Sequence, residues 1–324
     1  MRQLLRRISF YLVALWASVT LNFLIPRLIP GNPAQALIAR FQGDVDPQSM
    51  HALEILFGIS HESLWTQYWQ YLGNLLHGDL GLSITFYPTS VSQVIAEDLP
   101  WTLGLVGLSV VISAALGTLL GIIAAWRRGS MLDTLVPPLL TCLHAIPYFW
   151  LALLLLYLLG FILNWFPVSG GYDSASLTPG PTLDFLTSVV SHGTLPALTI
   201  VLSSMAGWML RMRNTMMTTL SEDYVLMAEA KGLPQRRVML RYAARNAILP
   251  NVTGFALSLG FVVAGALFTE VVFSYPGIGF ALLQGIQNSD YALVQGLFLI
   301  IAVAVLIANF FADVLYTVLD PRTR

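Results

Sequence analysis

The 324-residue chain has one cysteine and 10% charged residues, and lysine occurs once. The single Cys142 excludes an intrachain disulfide and any cysteine-based metal or redox motif, and its apolar neighbours point to a small buried thiol. The one lysine, Lys231, stands in AEAKGL, outside any G-x-x-x-x-G-K-[ST] phosphate loop, so the chain has no such loop with which to hydrolyse ATP. Soluble domains carry about 25% charged residues. At 56% hydrophobic and a mean hydropathy of +0.72, this chain cannot hide its apolar surface in a soluble core. Its composition is that of an integral membrane protein, which the helical spans below make an all-α one, and a net charge of −1 gives no basic surface for nucleic acid.

Six stretches lack Asp, Glu, Lys and Arg over a length that lets a helix cross a bilayer: residues 8–26, 99–126, 134–171, 185–210, 246–269 and 291–312. About 20 residues suffice for a crossing. Each stretch is read as carrying one span, which predicts six transmembrane helices. The first follows Arg2, Arg6 and Arg7 and resembles a leader. Because Arg27-Leu28-Ile29-Pro30 follows it in place of a small-x-small cleavage site, it is read as a retained helix.

Basic residues mark the inner side of a membrane. With the N-terminus inside, fourteen of the sixteen fall on inner segments, including Arg127, Arg128, Arg211, Arg213 and the run from Lys231 to Arg245. Only Arg27 and Arg40 fall outside. Both termini are therefore expected in the cytoplasm. The chain divides into residues 1–30 (N-terminus and first helix), an outer segment 31–98, a core 99–318 and a tail 319–324.

In the outer segment, Leu64, Trp65, Tyr68, Trp69, Leu72, Leu75 and Leu76 recur at helical spacing, an aromatic face suited to the outer membrane interface or to a lid over the helices. His51, His61 and His77 share the segment without metal-site spacing and read as solvated or locally bonded. Gly117 and Gly121 form a G-x-x-x-G, which lets two helices approach closely. Pro137, Pro138 and Pro147 predict a kink or break at the start of the third span, with His144 as a hydrogen-bonded interior residue. Glu270 sits at the edge of an apolar run, either with a partner in the interior or reaching headgroups from a helix end. Asp313 reads as an interface residue.

The segment 219–251 breaks the apolar pattern. Thr219 and Glu222 fit a capping box, Gly232 and Pro234 stop one helix and permit another, and Arg237, Arg241 and Arg245 recur every four residues until Pro250 ends the second helix. By itself, the segment fits either a docking element for a soluble partner or an amphipathic helix pair lying on the inner membrane surface.

Ala228, Gly232 and the ending Leu249-Pro250-Asn251 resemble the cytoplasmic "EAA loop" of ABC importer permeases. Pro30-Gly31-Asn32-Pro33, the run from Gly73 to Gly81 and the run from Thr269 to Gly279 resemble the first permease subunit of the dipeptide/oligopeptide group. The likeness runs from Arg27 to Pro321 with its motifs in order. It departs at the family's acidic position, which falls on Leu226, with Glu229 three residues later.

The resemblance implies a type I ABC importer permease fold in a bacterial cytoplasmic (inner) membrane. It implies a second homologous permease subunit, two ATPase subunits carrying ATP-Mg and an extracytoplasmic substrate-binding protein, with lipid around the chain and no cofactor in it. The ATPase contact would involve Tyr224, Ala228, Glu229, Gly232, Arg237 and Arg241, and the outer end of the pathway Glu270, Tyr275, Pro276 and Gly277. Peptides are the cargo implied first, oligosaccharides and nickel or metallophores next. A membrane enzyme would need a convergent set of reactive groups, and a channel or receptor a pore-lining polar pattern; neither is evident in the sequence.

Overall fold

The computed structural model describes residues 2–28, 62–262 and 267–319, so the Pro30–Pro33 stretch, Arg40, His51, His61 and the tail 320–324 lie outside the described residues. Among the described residues the chain is helical, with β structure confined to one isolated bridge between Leu82 and Ser90. It forms two compact units, Met1–Thr102 with Pro276–Phe310, and Leu103–Tyr275 with Phe311–Arg324.

In the first unit, α1 (Arg2–Leu28) is followed by α2 (Leu64–Leu76), whose N-terminus is capped by the Ser63 hydroxyl accepting from the Thr66 N–H at 3.3 Å. α2 lies beside the last turns of α1. The hydroxyls of Thr20 and Tyr68 are 2.8 Å apart, and the Phe23 ring meets the Tyr68 ring edge-on at 5.2 Å. The chain re-enters the unit after Tyr275 with α11 (Ile278–Gln287) and α12 (Tyr291–Leu319). Asp290, fully buried, accepts from the Leu293 N–H at 3.0 Å as the cap of α12. It also accepts from the Ser83 hydroxyl at 2.6 Å and the Thr85 N–H at 2.9 Å, so one carboxylate holds both the helix start and the turn near Tyr87.

The helix α3 (Val91–Trp126) begins in the first unit and runs on through a π-helical stretch, Leu103–Gly107. In the second unit it packs along α6 (Leu183–Thr219), capped at its start by Thr182. The glycines predicted to permit close approach do so. A Cβ on Gly117 would stand 2.6 Å from the Trp208 Cβ, and one on Gly121 would stand 2.6 Å from the Met209 carbonyl oxygen. Ala124 of α3, together with Leu140, Met205, Ala206 and Met209, closes the core around this crossing.

The third apolar stretch is two helices, α4 (Met131–Ala145) and α5 (Tyr148–Ile162), bent by 101°. The break falls at Ile146 and Pro147 and not at the start of the stretch, because Ile146 is extended (φ −74, ψ 126) before a residue with no N–H to give. Pro137 and Pro138 sit inside α4. His77 bonds its own helix at Gly73, 2.8 Å, as expected, whereas His144 bonds the Ser203 carbonyl through Nδ1 but is exposed, which corrects the expectation of an interior histidine. Cys142 is exposed on α4, which corrects the expectation of a buried thiol: an apolar run in such a chain can face outward as readily as inward.

Four helices among the described residues are long and apolar enough to cross a membrane, five if the bent pair is one span. Several hydroxyls within them return their hydrogen bonds to the helix itself, as Ser109 does to Leu105 O at 2.6 Å and Ser203 to Thr199 O at 2.8 Å.

The α3–α6 crossing yields the first prediction. Gly121→Ala should destabilise the chain by about 1–3 kcal/mol, because the added methyl meets backbone that cannot turn aside. Gly207→Ala on α6, where nothing lies within 4 Å, should be neutral or slightly stabilising. Thermal unfolding of the two variants in one detergent compares them directly.

Candidate coupling site

The segment 219–251 folds as a hairpin of α7 (Asp223–Ala230) and α8 (residues 235–247), followed by α9 (Leu249–Phe261). Two sequence expectations are corrected. Thr219 is the last residue of α6 and donates to Thr215 O at 2.8 Å, so Glu222 and not Thr219 is the cap of α7 and no capping box forms. Pro250 does not end α8. It sits in the first turn of α9, where its missing N–H costs nothing.

The turn between α7 and α8 follows from one glycine. Gly232 has φ +71, a left-handed conformation that a side chain disfavours. Its N–H bonds Glu229 O at 2.8 Å and the Leu233 N–H bonds Ala228 O at 3.4 Å, the paired bonds that close a helix C-terminus. α8 is π-helical from Val238 to Ala244.

One face of α7 is anchored. Val225 and Ala228 are buried with Met212 and Met216 of α6, Ile122 and Ala125 of α3, and Val238 and Ala243 of α8. Burying Val225 alone is worth about 1.5–3 kcal/mol. The opposite face is free: Tyr224, Leu226, Met227 and Glu229 are exposed, as are Gly232, Arg237, Arg241 and Arg245. Glu222 and Asp223 stand at the positive end of the α7 dipole. Ala228 is thus an inward contact, while Tyr224, Glu229, Arg237 and Arg241 lie on the surface that a partner could reach.

Two supports beneath the hairpin were not picked out from sequence. Arg213 Nε is 2.6 Å from Asp133 Oδ1 and ties α6 to the first turn of α4. The Asn251 amide donates to the Thr118 hydroxyl at 2.8 Å and to Trp208 O at 3.1 Å, so the Asn of the Leu-Pro-Asn ending locks α9 to both α3 and α6. Asp133 carries a weak signal in its place three residues after Ser130, which caps α4. Its partner 80 positions away carries none.

Of the four residues expected near the outer end of the pathway, Glu270 and Tyr275 come together. Glu270, on α10 (Leu267–Val272), is 1% exposed, which overturns a reach to headgroups. The Tyr275 N–H donates to Glu270 O at 2.8 Å. Burial first, and the Glu270 carboxylate second, push the Tyr275 phenol up to about 12. Ser274 between them has φ +46, and Gly170 donates to Phe273 O at 2.9 Å. Pro276 and Gly277 belong to the other compact unit, where Gly277 precedes α11 and the Ile278 N–H donates to the Thr102 hydroxyl at 2.9 Å. In the loop before α6, the Ser176 hydroxyl and then the Ala175 N–H hold the exposed Asp173 carboxyl below the usual range.

Long apolar helices around a glycine-mediated crossing, with a short hairpin anchored on one face and exposed on the other, define a multi-pass membrane protein. The chain belongs to the family of binding-protein-dependent transport system inner membrane components, which residues 117–324 match. It is similar to the di/tripeptide transport system permease protein DppB of Pseudomonas aeruginosa (strain UCBPP-PA14), 37% identical over 332 residues, covering 98% of this chain and 97% of the relative. It is also similar to the dipeptide transport system permease protein DppB of Escherichia coli (strain K12), 33% identical over 339 residues, covering 99% and 98%.

The turn gives the second prediction. Gly232→Ala should cost about 1 kcal/mol through the left-handed backbone alone, since nothing lies within 4 Å of the added methyl. Gly232→Asn should cost less, because Asn tolerates that conformation. Chemical unfolding of the two variants in detergent reads the difference.

Proposed function

We propose that this chain forms one half of the pathway of an ABC importer for short peptides and is worked by separate ATPase subunits through α7. The observation that carries this reading is the two-sided build of α7: Val225 and Ala228 fix one face to the helical body, while Tyr224, Leu226 and Met227 leave an apolar face exposed. A short helix rooted in this way passes an applied displacement to α3 and α6 and cannot slide over them. The names of the relatives support peptide cargo.

In this reading two ATPase subunits hold ATP-Mg, and their closure moves α7 together with Glu229, Gly232, Arg237 and Arg241. The chain then rocks as rigid units between inward-open and outward-open states. A second, homologous permease completes the pathway, and a binding protein delivers substrate near Glu270, Tyr275, Pro276 and Gly277. The chain crosses a bacterial inner membrane six times, with the fifth crossing carried within 246–269, both termini and residues 219–251 in the cytoplasm, and 31–98 outside.

The test places Met227→Glu in the assembled transporter, reconstituted in proteoliposomes with its binding protein and a labelled dipeptide. Met227 is 57% exposed, so the chain should fold and insert while substrate-stimulated ATP hydrolysis and uptake both fall at least tenfold, roughly the effect of losing 1.4 kcal/mol at a docking contact. Undiminished coupling in the variant would remove α7 from the mechanism. If the unaltered complex showed stimulated hydrolysis without dipeptide uptake, the peptide assignment would fall and the coupling assignment would stand.

A further inference from the structure

The surface of α2 divides into three stripes that the sequence pattern alone does not tell apart. Tyr68 and Tyr71 face α1, where Tyr68 meets Thr20 and Phe23 and the Tyr71 ring lies 5.6 Å from the Phe23 ring, with the half-buried Leu75 on the same side of the helix. Thr66, Gln70 and Asn74, recurring every four residues, form an exposed polar stripe. Between them run Trp65, Trp69, Leu72 and Leu76, spaced at three or four residues. Trp65 is 68% exposed, Trp69 56% and Leu76 87%, although these are the side chains that water tolerates least.

We propose that α2 is an interfacial helix lying in the membrane–water boundary at the C-terminal end of α1, with Trp65, Trp69, Leu72 and Leu76 seated among lipid and Thr66, Gln70 and Asn74 in water. Three observations commit the apolar stripe to lipid and not to a protein partner. α2 docks on Thr20, Phe23 and Arg27, the last two turns of a helix that qualifies as a membrane span, Ser9–Arg27. The same end of α1 leaves Leu21 and Ile25 exposed, so the stripe continues an apolar surface that already requires lipid.

The third observation is composition. The thirteen residues of α2 include two tryptophans and two tyrosines and carry no charge. Tryptophan, with an apolar body and one N–H, is suited to the headgroup level. At about 1.5 Å per residue, a helix of this length is too short to span a bilayer but suits lying along one. Arg27 reinforces the depth. Its guanidinium lies over the Phe23 ring at 3.7 Å and donates to Gln67 of α2 at 3.0 Å, so a cation stays at the boundary with its charge spread over α2 and α1.

The helix therefore fixes the depth of the first span. With the tyrosine stripe bound to α1 and the tryptophan stripe bound to lipid, α1 cannot rise or sink without moving aromatic side chains out of the layer they prefer. Because α2 has no basic residue, its hold on the membrane is apolar and does not read headgroup charge.

The test uses the full-length chain with the proteins it purifies with, in a Cys142→Ser background, in nanodiscs of phosphatidylcholine with and without phosphatidylglycerol. Nitroxides are attached at Trp69→Cys, Leu76→Cys, Gln70→Cys and Asn74→Cys, and collisions with oxygen, which concentrates in lipid, are compared with collisions with a water-soluble nickel chelate. The logarithm of the oxygen-to-nickel ratio should be positive at 69 and 76 and negative at 70 and 74, in both lipids. Low accessibility to both reagents at 69 and 76 would mean that a protein covers the stripe. High nickel accessibility there would mean that it faces water, and a ratio that changes sign with the anionic lipid would mean an electrostatic hold; any of the three overturns the proposal. Leu76→Cys lies at the helix end and guards against misfolding of the tryptophan variant. Since the readout is lipid exposure and not transport, it stands or falls apart from the coupling reading.

Discussion

The close approach of α3 and α6 at Gly117 and Gly121 is the constraint on which the second unit depends. Inside a membrane there is no hydrophobic gain in bringing two apolar helices together, because lipid is as apolar as leucine. Association rests on van der Waals contact and on hydrogen bonds, and both need backbones near enough to touch. The two glycines bring a helix surface within reach of the Met205 and Met209 carbonyls and the Trp208 Cβ. At that separation Asn251 can bridge Thr118 and Trp208 with one amide and bring in a third helix.

The hairpin stands directly on this pair. Met212, at the glycine crossing on α6, and Met216, one turn beyond it, together with Ile122 and Ala125 of α3, form the floor on which Val225 and Ala228 rest. Methionine suits such a floor because its unbranched side chain fills irregular gaps. The Asp133–Arg213 pair braces α4 against the same stretch of α6. Close packing transmits displacement, since a packed interior deforms little before it rearranges, so a hairpin on this base moves with its helices.

Much of this was legible because membranes impose simple rules. Long uncharged runs gave the spans of α1, α3, α6 and α12, and the G-x-x-x-G gave the tight crossing. Gly232 before Pro234 gave the hairpin turn, since few residues other than glycine adopt its backbone readily. Illegible features were those in which local propensity has more than one solution. Thr219 could cap a helix or end one, and the continuing hydrophobic contacts of Met212 and Met216 kept α6 going through it. Pro250 is acceptable both after a helix and in the first turn of the next. The π-helical stretches at Leu103–Gly107 and Val238–Ala244 have no distinct composition, and Arg213 finds Asp133 only once α4 and α6 have packed.

Cys142 and the α2 stripe expose the limit of reading burial from hydropathy. In a soluble chain an apolar residue at helical spacing is assigned to the interior, because water is the only alternative. Here there are three surroundings, protein, lipid and water, and hydropathy separates only the last from the other two. On α2 the three are resolved by side-chain chemistry: tyrosines whose hydroxyls find Thr20 and Asn22 face protein, tryptophans and leucines without such partners face outward, and amides and a hydroxyl line the remaining side. The sequence shows a single aromatic cluster in that segment. Only the position of α1 divides it, because α1 decides which of the aromatic rings have a polar group to meet.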